Sequence, residues 1–193
     1  MNEREKILNK RVDCTILFVT THETGHYIVG RNSRVCEKIK SLSSFYDENH
    51  QSLGKFVYEC KPLKRRQDYV EGIAITIAGI VATRMFLTEE FIENIFDIIV
   101  TDKAELKQAR KLALEYCYKS RKFYRIYINC PRILKKKFLK MASDKILKEA
   151  EELAQKIISE HKDQYIKIRN ELIKKRELTG EELEKLYNEN LKK

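Results

Sequence analysis

Several signatures that would assign a function are missing from this 193-residue sequence. It contains no internal repeat, no low-complexity linker and no G-x-x-x-x-G-K-[ST] phosphate loop, so the chain does not carry its own ATPase of that class. The cysteines are odd in number, dispersed and include no C-x-x-C pair, which argues against both a disulfide framework and a thiolate metal site. We therefore predict free thiols in a reducing compartment. The five cysteines are Cys14, Cys36, Cys60, Cys117 and Cys130.

Long hydrophobic runs are also scarce. The first eleven residues are polar and lack the apolar core of a signal peptide. The most hydrophobic run, residues 72–87, is interrupted by Thr76, Thr83 and Arg84 and is shorter than the ~20 residues that a spanning helix needs. The length suits one domain with its own core. We therefore expect a cytoplasmic protein with no membrane span.

Positive charge is in excess and is concentrated in one segment. Lys and Arg number 39 against 29 Asp and Glu, giving a net charge of +10. Residues 119–140 hold nine basic residues and no acidic one, beside Phe123, Tyr124, Tyr127 and Phe138. This combination is typical of nucleic-acid binding, which stays an alternative function. Without a helix-turn-helix, zinc-finger or RNP sequence, we favour a solvated cationic surface that attracts acidic peptides or a partner.

One short motif points to chemistry. His22, Glu23 and His26 form an H-E-x-x-H sequence within the apolar-rich stretch from Val12 to Val29. On a helix, residues four apart share a face, so the two imidazoles can bind one metal ion, with the Glu23 carboxylate beside it as a general base. The pattern predicts a zinc-dependent peptidase. The two other histidines, His50 and His161, lie in polar surroundings, and we expect them to be solvated.

A catalytic zinc site with two histidines needs a further protein ligand. No histidine follows His26 within about ten residues, so the H-E-x-x-H-x-x-G-x-x-H arrangement is excluded. A distant carboxylate is required instead. Asp102 and Glu105 stand at the start of a predicted helix, where the helix dipole alone would also favour acidic residues.

Hydrophobic periodicity predicts a mainly α fold with a small β-hairpin or sheet. We expect a single domain over residues 1–193, with a metal-site core at 1–142 and a C-terminal helical hairpin, or a bent helix, at 143–193. Small residues between the bulky ones in the helix at 69–86 allow close helix packing. The predicted elements are the H-E-x-x-H helix, a hairpin within 35–58 with its best strand at 55–59, helices at 69–86 and 102–117, and a short helix at 91–99.

The chain resembles the peptidase domain of the FtsH family of ATP-dependent zinc metallopeptidases, and the resemblance covers most of its length. The matching stretches, in order, are 22–26 (H-E-T-G-H), 53–58 (L-G-K-F-V-Y), 77–82 (I-A-G-I-V-A), 105–109 (E-L-K-Q-A, like the family's D-L-x-x-A) and the charged tail 177–183. Three departures stand out: glutamate replaces the family's aspartate at 105, the family's T-G-A before that position is missing, and Thr83-Arg84 replaces an acidic pair.

The resemblance implies a zincin-like H-E-x-x-H helix followed by a helical bundle, and a zinc ion (Zn²⁺) as cofactor. It implies His22, His26 and Glu105 as metal ligands, with Asp102 as the alternative third ligand. By analogy, Lys55, Phe56 and Val57 form an edge strand that binds a peptide or protein substrate. The resemblance also implies two partners, a separate ATPase and further copies of the chain in a homo-oligomer.

Other interpretations stay open. The chain is a stand-alone peptidase, a subunit served by a separate ATPase, or a catalytically silent interaction domain, and the intact Glu23 argues against the last. Repressor-cleaving regulators of phage and mobile elements also carry H-E-x-G-H followed by a tyrosine, like Tyr27, and are a minor alternative.

Overall fold

The computed structural model describes residues 3–46, 52–88 and 99–189. The fold is mainly helical with a small antiparallel sheet, which confirms the prediction of a mainly α fold with a small hairpin or sheet. In chain order the described elements are α1 (Glu3–Arg31), β1 (Cys36–Tyr46), β2 (Ser52–Cys60), α2 (Arg66–Phe86), α3 (Ile99–Lys119), α4 (Arg121–Asn129), α5 (Lys135–Glu160), α6 (Lys162–Lys175), β3 (Glu177–Thr179) and α7 (Gly180–Asn188).

The sheet has three strands in the order β2-β1-β3. The hairpin of β1 and β2 was predicted, whereas β3 was not, because a strand of three residues has no periodicity to read. Its only buried residue is Leu178, which lies opposite Leu42 of β1. The third strand covers one side of β1 and leaves β2 at the edge of the sheet in the described part of the chain.

Helices α1 and α2 form the centre of the core and approach each other closely. A Cβ atom added at Gly25 of α1 would lie 2.5 Å from the carbonyl oxygen of Ala78 and 2.6 Å from the Cβ of Ala82. The absence of a side chain at Gly25 therefore allows the two backbones to meet. Close packing of this kind brings the residues of α1 within reach of polar groups on α2.

By length and composition alone, α2 is long enough and apolar enough to cross a membrane. The helix reaches this length because it begins at Arg66, before the apolar run at 72–87 that the sequence indicated, and the absence of a membrane span stays a prediction. In this fold, 78% of its most apolar window is buried inside the protein. The buried core helix of a soluble protein passes the same test, so one such helix is weak evidence for a membrane span.

The C-terminal part begins earlier than the sequence indicated. Helix α5 starts at Lys135, so the expected boundary at 142–143 lies inside one continuous helix. The chain bends at His161 between α5 and α6, and Arg176 (φ 68°) ends α6 in the left-handed region. Thr179 and Glu182 then form a reciprocal capping box at the start of α7. The short helix expected at 91–99 lies outside the described residues, except for Ile99, which begins α3.

Candidate metal centre

Helix α1 carries the whole H-E-x-x-H motif in its buried C-terminal half. His22 and His26 lie one turn apart, and their Nε2 atoms are 3.1 Å from each other. Both side chains are largely buried, with exposed fractions of 6% and 10%. The motif therefore presents two imidazole nitrogens to a single point, as the spacing predicted.

Helix α3 brings a carboxylate to the same point. Oε1 of Glu105 lies 2.8 Å from Nε2 of His22 and 3.0 Å from Nε2 of His26. Its other oxygen, Oε2, is buried and has no hydrogen-bond partner in the described structure. The three residues form a buried group that can hold a metal ion. The side chain of Asp102, the alternative third ligand, lies outside the described part of the chain.

A backbone group on α2 fixes the orientation of one imidazole. Nδ1 of His26 lies 2.6 Å from the carbonyl oxygen of Ile75, and only a protonated nitrogen can donate to that oxygen. With the proton on Nδ1, the neutral ring keeps a lone pair on Nε2, which is the nitrogen that faces His22 and Glu105. This outer contact is typical of metal-binding histidines. Sequence reasoning missed it, because a carbonyl group leaves no trace in the sequence.

The position of these atoms is suited to a cation. The lone pair that neutral His26 carries on Nε2 lies 3.0 Å from Oε1 of the Glu105 carboxylate, and these two electron-rich atoms repel each other. A proton can relieve this conflict: burial lowers the pKa of His26, but the hydrogen bond and charge of Glu105 outweigh that effect and raise it to about 9. Burial raises the pKa of Glu105, yet its bonds to His22 and His26 lower it overall to about 2.

Two glycines make room for the motif. A Cβ at Gly79 of α2 would lie 2.3 Å from Nε2 of His22, and a Cβ at Gly54 of β2 would lie 2.3 Å from Oε1 of Glu23. Any side chain at either position would displace the group that it meets. We expected small residues in α2 only for helix packing. At Gly79 the close neighbour is the imidazole of His22.

Glu23 is held beside the histidines by β2. Its carboxylate accepts a hydrogen bond from the backbone N–H of Phe56 and is buried. Burial raises the pKa of Glu23, while the neighbouring His26 and His22 lower it and Glu105 raises it, and the net result is a raised pKa. Such a carboxylate is suited to accepting and returning a proton closer to neutral pH than an exposed glutamate can.

The direction of the Phe56 N–H shows which main-chain groups of β2 point away from β1. Because this N–H reaches Glu23, the main-chain groups of Phe56 point away from β1, and those of Gly54, two residues earlier, do the same. Main-chain directions alternate along a strand, so those of Lys55 and Val57, which lie opposite Ser43 and Ser41, point towards β1. Of the three predicted substrate-binding residues, Phe56 thus has outward backbone groups, and Lys55 and Val57 do not.

The other polar groups that the sequence singled out do not add a ligand to the metal-binding group. Nδ1 of His22 is buried without a partner in the described structure. Tyr27 donates a hydrogen bond to the carbonyl of Leu183 and is fully buried, which places it in the core. His161 is half-buried and lies 3.0 Å from the hydroxyl of Tyr187, so the expectation of a solvated side chain is wrong there. His50 lies outside the described residues.

All five cysteines are free thiols, and none belongs to the metal-binding group. Comparison of the chain with protein-family models and with curated proteins finds no match. Function must therefore be argued from the geometry of the His22, His26 and Glu105 group and from its surroundings.

Proposed function

We propose that this protein is a zinc-dependent metallopeptidase that hydrolyses peptide bonds with Glu23 as general base. The observation that carries the proposal is that three ligand atoms, from His22, His26 and Glu105, lie within 3.1 Å of one another. The buried carboxylate of Glu23 lies next to them, on the same helix as the two histidines. The resemblance to the FtsH peptidase domain supports the same conclusion, because it implies this ligand set.

The donor set suits zinc. Two imidazole nitrogens and one carboxylate oxygen are the ligands of many catalytic zinc sites, which leave one position for water. Bonds of ~2.0–2.1 Å in tetrahedral geometry separate two ligand atoms by about 3.3 Å. The observed separations of 2.8–3.1 Å are only slightly shorter, so His22, His26 and Glu105 need small movements to bind the ion.

The chain's own residues then have separate tasks. Bound zinc supplies Lewis acidity, which makes water a nucleophile near neutral pH. Glu23 takes the proton from the attacking water and delivers it to the nitrogen of the leaving amine, and the burial that raises its pKa makes it a stronger base for the first transfer than an exposed glutamate. The N–H of Phe56 and the surface of Gly54 keep the carboxylate in place. No covalent bond between substrate and protein is needed.

The substrate is an extended peptide that binds along the outer edge of β2. The outward main-chain groups of Gly54 and the carbonyl of Phe56 are available to pair with such a peptide, in the manner of strand addition. Main-chain pairing gives little sequence selectivity, so flexible or unfolded segments are the expected substrates. A separate ATPase that unfolds proteins, and a homo-oligomer, are partners consistent with the FtsH resemblance.

The test is metal content combined with peptide hydrolysis. We expect the purified protein to bind one zinc ion and to cleave an unstructured fluorogenic peptide, and chelation to abolish cleavage. Glu23→Gln should keep the zinc, because Glu23 is outside the ligand group, and should lower kcat by about 10²–10⁴-fold.

His161→Gln is the matched control, since it removes a histidine that is bonded to Tyr187 and is not part of the metal-binding group. It should leave zinc content and cleavage unchanged. A protein that binds no divalent metal contradicts the proposal. A protein that binds zinc but cleaves no peptide is the silent interaction domain, and Glu23→Gln with full activity excludes the assigned role of Glu23.

The substrate strand can be tested with modified peptides. A peptide that pairs with β2 directs every second N–H at the protein, so N-methylation at those positions should raise KM, while methylation at the intervening positions should not. An equal effect at all positions, or none, would remove strand addition from the proposal and leave the metal chemistry intact.

A further inference from the structure

The segment of residues 119–140, hereafter the basic arm, comprises the end of α3, all of α4 and the start of α5. Lys119 pairs with Glu115, and Lys135 lies over the ring of Tyr127. The seven other basic side chains of the arm are exposed and form no ion pair with any residue that the structure describes. They are Arg121, Lys122, Arg125, Arg132, Lys136, Lys137 and Lys140.

Three of the four aromatic side chains of the arm are engaged in intramolecular contacts. Phe123 and Phe138 stack with ring centroids 4.7 Å apart, which ties α4 to α5. Tyr127 meets Tyr118 edge-on at 6.0 Å and has the ammonium group of Lys135 5.0 Å from its ring centroid. Proteins that bind single-stranded nucleic acid use free aromatic faces on which bases stack. In the arm the rings of Phe123, Phe138 and Tyr127 are occupied by intramolecular contacts, and Tyr124 is 50% exposed.

The exposed apolar side chains of the arm are mainly aliphatic. Ile133, in the turn between α4 and α5, is 92% exposed, and its neighbour Leu134 is 49% exposed. Ile126 and Ile128 of α4 are about half exposed, and Met141 of α5 is 63% exposed. About half or more of each side chain is open to solvent, and basic residues lie directly beside them, with Arg132 before Ile133 and the run from Lys135 to Lys137 after Leu134.

We infer that the basic arm docks on an anionic lipid surface, with Ile133 and Leu134 entering the interface and the surrounding lysines and arginines contacting the headgroups. Unpaired cationic charge is complementary to anionic lipid. Exposed aliphatic side chains gain from a lipid interface, whereas nucleic acid offers them no apolar medium. The combination therefore favours a membrane surface over nucleic acid. This binding goes beyond the proposed peptidase function and does not depend on it.

The test is co-sedimentation of the full chain with vesicles of phosphatidylglycerol mixed with phosphatidylcholine, compared with vesicles of phosphatidylcholine alone. We expect binding to the anionic vesicles only. The double variant Lys136→Gln/Lys137→Gln should weaken binding by about 25-fold, from about fivefold per charge. Ile133→Asn should weaken it by about tenfold, because it removes the most exposed aliphatic side chain from the interface.

The matched control is Lys148→Gln/Lys156→Gln. It removes the same charge from the same helix α5, at exposed positions roughly 18 Å or more from Lys136 along the helix axis. It should bind the vesicles as the unaltered protein does. All variants are to be checked for unchanged circular dichroism and metal content, so that a folding defect is recognised.

Three outcomes overturn the inference: no binding to anionic vesicles; loss of binding that is equal in the control and the arm variant, which indicates a general charge effect; and binding that is unaffected by Ile133→Asn. A single-stranded DNA oligonucleotide is the comparison ligand. Tight binding to it, with dependence on Lys136 and Lys137 but not on Ile133, would assign the arm to nucleic acid.

Discussion

The metal centre and the basic arm use polar residues in opposite ways. In the metal centre, the charged and polar atoms of His22, His26 and Glu105 lie about 3 Å from one another and are shielded from water. In the basic arm, seven of the nine cationic groups are exposed and have no acidic partner in the described structure. Packing of the helices therefore determines what the metal centre can bind. In the basic arm, the fold leaves these cationic groups free to contact a partner.

The largest effect should come from removing the carboxylate of the centre. Glu105→Ala deletes the oxygen that lies within 3.0 Å of both imidazoles. Loss of an outer-shell partner lowers metal affinity by about 10–100-fold. Loss of a direct ligand should lower the zinc affinity by more than that. Zinc titration against a chromophoric chelator measures the change.

Asp102→Ala is the control for this substitution, because Asp102 is the alternative ligand one turn earlier on α3. It should retain zinc. If Asp102→Ala loses the metal and Glu105→Ala keeps it, the ligand assignment is reversed.

The second effect comes from the glycines around the centre. Gly79→Ala places a methyl group about 2.3 Å from Nε2 of His22, so the imidazole must turn away. We expect zinc affinity to fall by about 10–100-fold, the loss that a displaced supporting group causes. Because alanine favours a helix over glycine by ~1 kcal/mol and the ring can move, the unfolding free energy should not decrease.

Gly25→Ala is the contrasting substitution. Its methyl group meets the backbone carbonyl of Ala78, which cannot rotate away, so α1 and α2 must separate. Overpacking of this kind costs about 1–3 kcal/mol, and Gly25→Ala should lose stability as well as metal. Thermal unfolding with and without zinc distinguishes the two glycines. Normal zinc binding by Gly79→Ala would show that His22 is not confined as the structure indicates.

The sequence predicted the parts of this molecule that depend on local pattern. The mainly helical fold, the hairpin and the helix under the H-E-x-x-H motif follow from periodicity and spacing. The strand β3 did not, since it depends on pairing of Leu178 with Leu42, about 136 residues apart in sequence. The contact of His26 with the carbonyl of Ile75 could not be predicted either, because every residue has a carbonyl and only tertiary packing selects this one.

The third effect concerns pH. His26 has a pKa raised to about 9 from 6.5, and its protonated form cannot bind a metal. Zinc affinity should therefore rise by about tenfold per pH unit as the pH approaches 9. For the chelator-treated protein the sign is opposite: the stabilisation from protonated His26 is fully present below pH 6.5 and is lost as the pH rises through about 9.

Urea unfolding across this range, with and without zinc, measures both trends. His26→Gln should abolish the pH dependence of stability in the chelated protein. A zinc affinity that is constant between pH 6.5 and 9 would contradict the proton competition described here.

The smallest effect should come from a substitution in the basic arm, and it should not change the metal centre. Phe138→Leu removes the stacked contact with Phe123 and should lower the unfolding free energy by about 1 kcal/mol. Zinc affinity should be unchanged, since neither ring contacts the metal-binding group. The connection that could transmit a change is α3, which carries Glu105 and continues through Ser120 into α4. A fall in zinc affinity in Phe138→Leu would therefore show that the arm positions Glu105 and that the two regions are coupled through α3.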